Sequence, residues 1–268
     1  YREINMVTDT YLSPLLDFLR TLTPKILEIY HQDKINIQTK SDHSPLTEAD
    51  LFSHKAILEF LKKLTPDIPI ISEETENQIN IKSSRFWLVD PLDGTREFIA
   101  KTDDFSINVA LVENNIPILG IIYAPVFDVS YYAIKNKGAF KKIANQTSEK
   151  IHVRKLNTEL PIVIASRRHG DNQKLQEFFN KFKNYERLSR GSAIKFCLIA
   201  EGAADIYPRF GETFFWDTAA GQCIVEEAGG HVVDAKGKPL RYNGAPPYLN
   251  SYFFAIGNGL DFFYFIKE

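Results

Sequence analysis

Apolar positions recur at helical spacing over residues 13–31, through Leu15, Leu16, Leu19, Leu22, Ile26, Leu27 and Tyr30. Ser13-Pro14 predicts the start of that helix, an N-cap with proline at the first helical position, and Pro24 predicts a kink or a split. Residues 35–39 alternate as a strand, and the polar loop after them leads to Thr47, which opens a helix to about residue 64. Thr47 with Asp50 three positions on fits a shortened capping box, over an apolar face of Ala49, Phe52, Ala56, Ile57, Phe60, Leu61 and Leu64. Short buried strands are predicted at 69–72 and 86–90, the second stopped by Asp90-Pro91 because proline lacks the N–H a ladder needs. Residues 75–84 are polar and predict a mobile surface loop.

Alternating runs at 105–113 and 116–123 flank Asn114-Asn115 and predict a hairpin. Further strands at 129–134 and 138–142 extend a mainly antiparallel meander. The second half changes character. Strands at 162–165, 185–189, 204–207, 231–234 and 253–256 alternate with helices at 172–182, 192–201 and 216–228, the last closed by Gly229-Gly230. That alternation implies an α/β layer. A subdomain boundary is expected near Asn145, dividing the chain into 1–145 and 146–268.

With 268 residues, 44% of them hydrophobic and 25% charged, the chain is long enough to bury a large core and is not of disordered composition. A net charge of −2 gives no sign of a broad nucleic-acid surface, so any polyanionic ligand must meet a local positive site. Cys197 and Cys223 sit in apolar surroundings and read as buried thiols of a reducing compartment rather than a disulfide. No run approaches the ~20 apolar residues of a membrane span, and a cytoplasmic protein is expected.

Candidate chemistry centres on Asp90-Pro91-Leu92-Asp93-Gly94-Thr95. Two carboxylates leave a strand end three residues apart, beside exposed backbone and the start of a short helix (96–101) that Thr95 can cap. Carboxylates and free carbonyls suit a hard cation such as Mg²⁺, and a helix start suits a phosphate. An acid-rich turn with a capping threonine is the plainer reading of this stretch alone, as a helix-start acid is of Asp50. Glu73, at the end of the 69–72 strand, and Asp217, opening the helix after Trp216, are further candidates. Several acids converging without counter-charge would be held by divalent cations. Nothing in the spacing brings Asp217 to the others.

Ser72-Glu73-Glu74, the Asp90–Thr95 stretch and Trp216-Asp217-Thr218-Ala219-Ala220 together resemble the inositol monophosphatase superfamily. The stretch from Lys40 to Asp50, Pro117 to Pro125, Lys195 to Gly202 and Tyr207-Pro208-Arg209-Phe210-Gly211 are similar to its CysQ-type branch, the bacterial 3′(2′),5′-bisphosphate nucleotidases. The resemblance covers nearly the whole chain. It implies an α+β fold, a layered α/β/α/β/α sandwich. It implies hydrolysis of the 3′-phosphate of adenosine 3′,5′-bisphosphate, inhibition by lithium, and a role in clearing that by-product of sulfate assimilation. Peripheral attachment to the inner membrane is compatible with it. By the same resemblance Glu73, Asp90 and the Leu92 carbonyl would hold one Mg²⁺, and Asp90, Asp93 and Asp217 a second; a third ion near Glu73 has no assigned ligands. Thr95, backed by Asp50, would activate the attacking water, while Gly94 and Thr95 would cradle the phosphate. Ser166, His169, Gly191 and Lys195 would contact the nucleotide.

Arg167-Arg168 adds positive charge near a second phosphate. The chain carries Ser166-Arg167-Arg168-His169 where Ser-Arg-Ser-His is more usual, and Arg190 where small or apolar residues are familiar. An inositol monophosphatase or sugar bisphosphatase using the same metals is the alternative enzyme. A catalytically silent nucleotide-binding protein is the alternative of another class.

Overall fold

Strands buried on both faces build the larger of two sheets, in a computed structural model that describes residues 2–40, 43–75, 80–166 and 173–259. Its seven strands are β3 (Ile70–Ser72), β4 (Arg85–Asp93), β5 (Ser106–Glu113), β6 (Ile116–Ala124), β7 (Val129–Ile134), β8 (Gly138–Ile143) and β9 (Glu149–Ile151), adjacent in that order. Only β3 and β4 run parallel, and the rest form the expected antiparallel meander. Asn114 and Asn115, with φ of 50° and 66°, make the hairpin turn between β5 and β6. A small ribbon of β1 (Ile37–Thr39) and β2 (Pro45–Thr47) stands apart from this sheet.

One face of the large sheet packs on α1 (Arg2–Thr21), α2 (Thr23–Tyr30) and α3 (Glu48–Leu64). Trp87, Val89, Ile107, Val109, Leu119 and Ile121 meet Leu15, Leu19, Ile26, Ile57 and Leu61 there. α1 begins well before Ser13-Pro14 and runs through it, which corrects the helix start expected there. An interior proline costs a helix about 3 kcal/mol, and burial of Leu15, Leu16 and Leu19 on the sheet offsets it. Pro24 does divide the helix, falling in the first turn of α2.

The opposite face (Phe86, Leu88, Ala110, Val112, Ile122) packs on α6 (Ile194–Ala200) and α7 (Phe215–Glu227). α7 is buried almost all round, as a helix between two sheets must be. A side chain at Gly120 of β6 would come within 2.6 Å of the Ala220 carbonyl, so glycine allows this close approach. Beyond α7 lies the second sheet, in the order β11 (Glu186–Arg190), β10 (Ile162–Ser166), β12 (Ile206–Arg209), β14 (Phe253–Ile256), β13 (His231–Asp234). Its outer face packs on α5 (Gln173–Phe179) through Leu175, Phe178 and Phe179. The layers are therefore α/β/α/β/α. Both cysteines are buried and free, and among the described residues no helix is long and apolar enough to cross a membrane.

Two local expectations are corrected, both beside the candidate site. β4 does not stop at Pro91. Its pairing with β5 reaches Asp90–Asn108, breaks, and resumes at Asp93–Ser106, so the missing N–H falls in a bulge. Nor does Thr95 cap a helix at 96–101. The short helix α4 is Thr95–Ile99, and Gly94, at φ +90°, occupies the N-cap while the Thr95 side chain turns elsewhere. Of the loop expected at 75–84, residues 76–79 lie outside the described residues, and Ile81 is pinned by donating to the Gly244 carbonyl at 2.9 Å.

Candidate active site

The β4 bulge sets out the first group of candidates. Asp90 is buried, and its Oδ1 accepts from the Leu92 N–H at 3.1 Å, folding the chain back on itself at Pro91. Parallel pairing of β3 with β4 brings in Glu73, whose N–H donates to the Val89 carbonyl at 3.1 Å. Asp93 Oδ2 accepts from Asn108 Nδ2 at 3.1 Å and from the Ala193 N–H at 2.5 Å, the latter just ahead of α6. Asp217 reaches the group from the first turn of α7, its Oδ2 held by the Phe214 N–H at 2.8 Å. The second oxygens of Asp93 and Asp217 accept no hydrogen bond among the described residues.

Electrostatics show these acids to be neighbours. Burial raises Asp90 well above the usual carboxylate value, and Glu73, Asp93 and Asp217 raise it further. Asp217 is raised by burial and then by Asp93 and Glu73. Asp93 is pushed up to about 6 by burial, with Lys195, Asn108 and the Ala193 N–H pulling the other way. Like charges brought together out of water resist ionisation in this way.

A hard cation would relieve that repulsion, and carboxylates with a bulge carbonyl at Leu92 are the donor set Mg²⁺ prefers. Among the described residues, however, no three His, Cys, Asp or Glu side chains gather closely enough to form a finished cage. Their partners give the reason. Asp93 and Asp217 each turn one oxygen to a backbone N–H, and Lys40 Nζ donates to Glu73 Oε1 at 2.7 Å and Glu74 Oε1 at 2.5 Å. Burial opposes the Lys40 charge, but the two glutamates outweigh it and hold its pKa above the usual lysine value. The donors and the charge fit a divalent cation, which would compete with Lys40 for Glu73.

Thr95 and Asp50 form a second unit. The Thr95 hydroxyl donates to Asp50 Oδ1 at 3.0 Å, and Asp50 Oδ2 accepts from Thr47 N and Oγ1 at 2.8 and 2.5 Å. The capping box read from the sequence is therefore present, and it also aims Asp50 at Thr95. Burial raises the pKa of Asp50 despite these donors.

A cavity of about 140 Å³ is lined by Asp93, Gly94, Asp217, Ser166, Gly191 and Lys195. It thus joins candidates from both halves of the chain. Lys195 is buried, donates to the Ser192 carbonyl, and lies 5.1 Å from the centre of the Tyr207 ring. Burial lowers its pKa to about 8, against the pull of Asp93. The Gly191 N–H is taken by Asp104 Oδ2 at 3.0 Å, so this glycine shapes the wall rather than offering a donor. Arg190 is half exposed and only 3.9 Å from Asp104 Oδ1, a loose pairing. Arg167, Arg168 and His169 lie outside the described residues.

Arg209 lines the same cavity and had no role in the sequence reading. Its Nη2 donates to the Glu212 carbonyl at 3.0 Å, while its Nε is buried with no partner among the described residues. A buried donor left open is uncommon and asks for an acceptor. The Tyr207–Gly211 motif contained the residue, but no spacing rule shows that a β12 arginine is orphaned.

Over residues 9–258 the sequence matches the inositol monophosphatase family, and the chain belongs to that family. It is 41% identical over 242 residues to the 3′(2′),5′-bisphosphate nucleotidase CysQ of Escherichia coli strain K12, across 89% of this chain and 96% of that protein. CysQ of Buchnera aphidicola subsp. Acyrthosiphon pisum is 41% identical over 260 residues, across 95% and 97% of the two chains. Among solved structures, CysQ from Bacteroides thetaiotaomicron is 37% identical with a TM-score of 0.77, covering 90% of this chain and 94% of that one. The IMPase of Thermotoga maritima is 28% identical with a TM-score of 0.79, covering 96% and 95%. The layered α+β fold and the family expected from the motifs are thus borne out. The family is one of metal-dependent phosphatases that generally use Mg²⁺.

Proposed function

We propose that this protein is a Mg²⁺-dependent phosphomonoesterase that converts adenosine 3′,5′-bisphosphate to AMP and inorganic phosphate. One observation carries the choice of substrate: the cavity that holds Asp93 and Asp217 also holds two cationic groups, the buried Lys195 and the half-buried Arg209, whose buried Nε is unpartnered among the described residues. A small polyol monophosphate gives these groups nothing to bind. A second phosphate supplies the acceptor that Arg209 Nε lacks, and charge-assisted bonds to phosphate are the strong kind.

Glu73, Asp90 and the Leu92 carbonyl would hold one ion; Asp90, Asp93 and Asp217 would hold a second, and the family resemblance implies a third near Glu73. Bound there, Mg²⁺ would acidify a water and neutralise charge on the phosphate oxygens. The protein's own part begins at Thr95. Because its hydroxyl donates to Asp50, its lone pairs are left to accept from the attacking water and orient it at phosphorus. Asp50, made more basic by burial, is placed to receive the proton through that hydroxyl. The new P–O bond forms as the bond to the ribose 3′-oxygen breaks, and that oxygen leaves as a hydroxyl after taking a proton from water.

The Gly94 and Thr95 N–H groups would steady the phosphate. Ser166, His169, Lys195 and Arg209 would hold the nucleotide, with Gly191 allowing the wall to approach it. The Thr95–Asp50 hydrogen bond supports turnover over silent binding. The reaction would clear a nucleotide by-product of sulfate assimilation.

Phosphate release from adenosine 3′,5′-bisphosphate and from inositol 1-monophosphate, each with and without Mg²⁺, tests the proposal. The expected result is Mg²⁺-dependent release with kcat/KM at least about 100-fold higher for the nucleotide, the worth of two charged contacts. Comparable rates on both substrates would overturn the substrate assignment, and no release from either would overturn the activity.

A further inference from the structure

Asp217 owes its direction to the turn before α7. Its Oδ2 accepts from the Phe214 N–H at 2.8 Å, so the carboxylate points where the peptide between Thr213 and Phe214 lets it. The other side of that peptide, the Thr213 carbonyl, accepts from the backbone N–H of Asn250 at 2.9 Å. The next peptide is held the same way. The Phe214 carbonyl accepts from Asn250 Nδ2 at 2.7 Å, and the Phe215 N–H donates to the Tyr248 carbonyl at 2.8 Å. Asn250 Nδ2 also reaches Thr218 Oγ1 at 3.0 Å and Thr213 Oγ1 at 3.2 Å. Thr218 is steadied in turn by the hydroxyl of buried Tyr242 at 3.1 Å.

Two successive peptide planes ahead of the Asp217 carboxylate are thus oriented by one asparagine from a loop more than thirty residues downstream. The chemistry of the site requires an amide there. The Phe214 carbonyl only accepts, so the group facing it must donate, and Thr213, which shares the same amide, lines the cavity. An aspartate of equal size would set an oxygen against an oxygen.

We propose that Asn250 is a positioning residue for Asp217, fixing the Thr213–Phe215 backbone so that the Asp217 carboxylate stands ready for a divalent cation. The inference rests on the reading of Asp217 as a ligand. Groups that orient metal ligands from behind are worth about 10- to 100-fold in metal affinity.

Calorimetric titration of the full chain with Mg²⁺ alone, without substrate, tests it on the wild type, Asn250→Ala, Asn250→Asp, Asp217→Asn and Asn243→Ala. Asn243 lies in the same loop and, among the described residues, its side chain holds only the Ala245 N–H, so its variant controls for loop damage. The expected result is Mg²⁺ binding weaker by about 10-fold or more in both Asn250 variants, and unchanged in Asn243→Ala. The far-UV spectrum and the metal-free Tm should stay near wild type, and the nucleotide KM at saturating Mg²⁺ within about two-fold, because a pure positioning defect is made good by excess ion. Binding within two-fold of wild type in the Asn250 variants overturns the inference, as does an equal loss in Asn243→Ala. If Asn250→Ala does not fold, Thr218→Val removes one acceptor of the same clamp and must weaken Mg²⁺ binding for the inference to stand. Wild-type affinity in Asp217→Asn would be a different failure, that of the ligand assignment itself.

Discussion

The acids gathered at the candidate site and two cations that line its cavity are held in opposite ways. Asp90, Asp93 and Asp217 each have an oxygen tied to a backbone N–H, from Leu92, Ala193 and Phe214 respectively. Lys195 spends one donor on the Ser192 carbonyl, and Arg209 leaves its Nε unpartnered among the described residues. The difference follows from charge. Neighbouring carboxylates repel, so they stay in place only when fixed dipoles hold them, and what they then lack is a cation. Lys195 and Arg209 keep donors in reserve, and what they lack is an anion. Under the proposed function the first group would hold the metal and the second the far end of the substrate, as a phosphatase acting on a doubly phosphorylated nucleotide needs.

The harshest way to break this contrast is Asp93→Asn. It removes a carboxylate from the acid group while keeping its shape, and is expected to lower kcat/KM by about three orders of magnitude, the several kcal/mol a bound cation contributes. The fold should survive, as read by far-UV spectrum and Tm, because removing a charge from a crowded acid group relieves repulsion. Wild-type turnover in this variant would dissolve the metal assignment.

Milder by design are Lys195→Ala and Arg209→Ala. Each is expected to raise KM for the bisphosphate by about 10- to 100-fold, the worth of one charged hydrogen bond, with kcat changed far less. Steady-state kinetics on a 3′-phosphate lacking the 5′-phosphate sharpens the contrast, since there the variants should match the wild type. Equal losses in kcat and kcat/KM would place these residues with the chemistry instead.

The smallest effect is a pH dependence. Burial lowers Lys195 to about 8, so its charge fades above that pH, and kcat/KM for the bisphosphate should fall by up to about tenfold per pH unit there. Unfolding would not explain that fall. A lysine whose folded pKa lies below its ordinary 10.5 carries a charge the fold holds at a cost, so this group's contribution to stability rises between about pH 8 and 10.5. Lys195→Arg, charged throughout, should flatten the profile. A profile unchanged by that substitution would remove Lys195 from the binding step.

Much of this molecule was legible before its fold was known. The hairpin at Asn114-Asn115, the split at Pro24, the capping box of Thr47 and Asp50 and the glycine stop at Gly229 all rest on contacts within a few residues, and all are present. The places where local reasoning failed are those where distant partners compete. Pro91 did not end its strand, because β5 pairs on both sides of the bulge. Thr95 did not cap its own helix, because Asp50, forty-five residues earlier in the chain, offers a charged acceptor.

By itself, then, the sequence determined the elements and the acids delivered at strand and helix ends, since periodicity, proline and capping act over a turn or two of chain. Only the tertiary structure decided that Asp217, at the start of α7, comes near enough to Asp93 to feel its charge, that Lys40 reaches Glu73 and Glu74, and that Arg209 is left with an open donor. Those outcomes depend on how two sheets pack around a shared buried helix, and no local pattern encodes a distance across that packing.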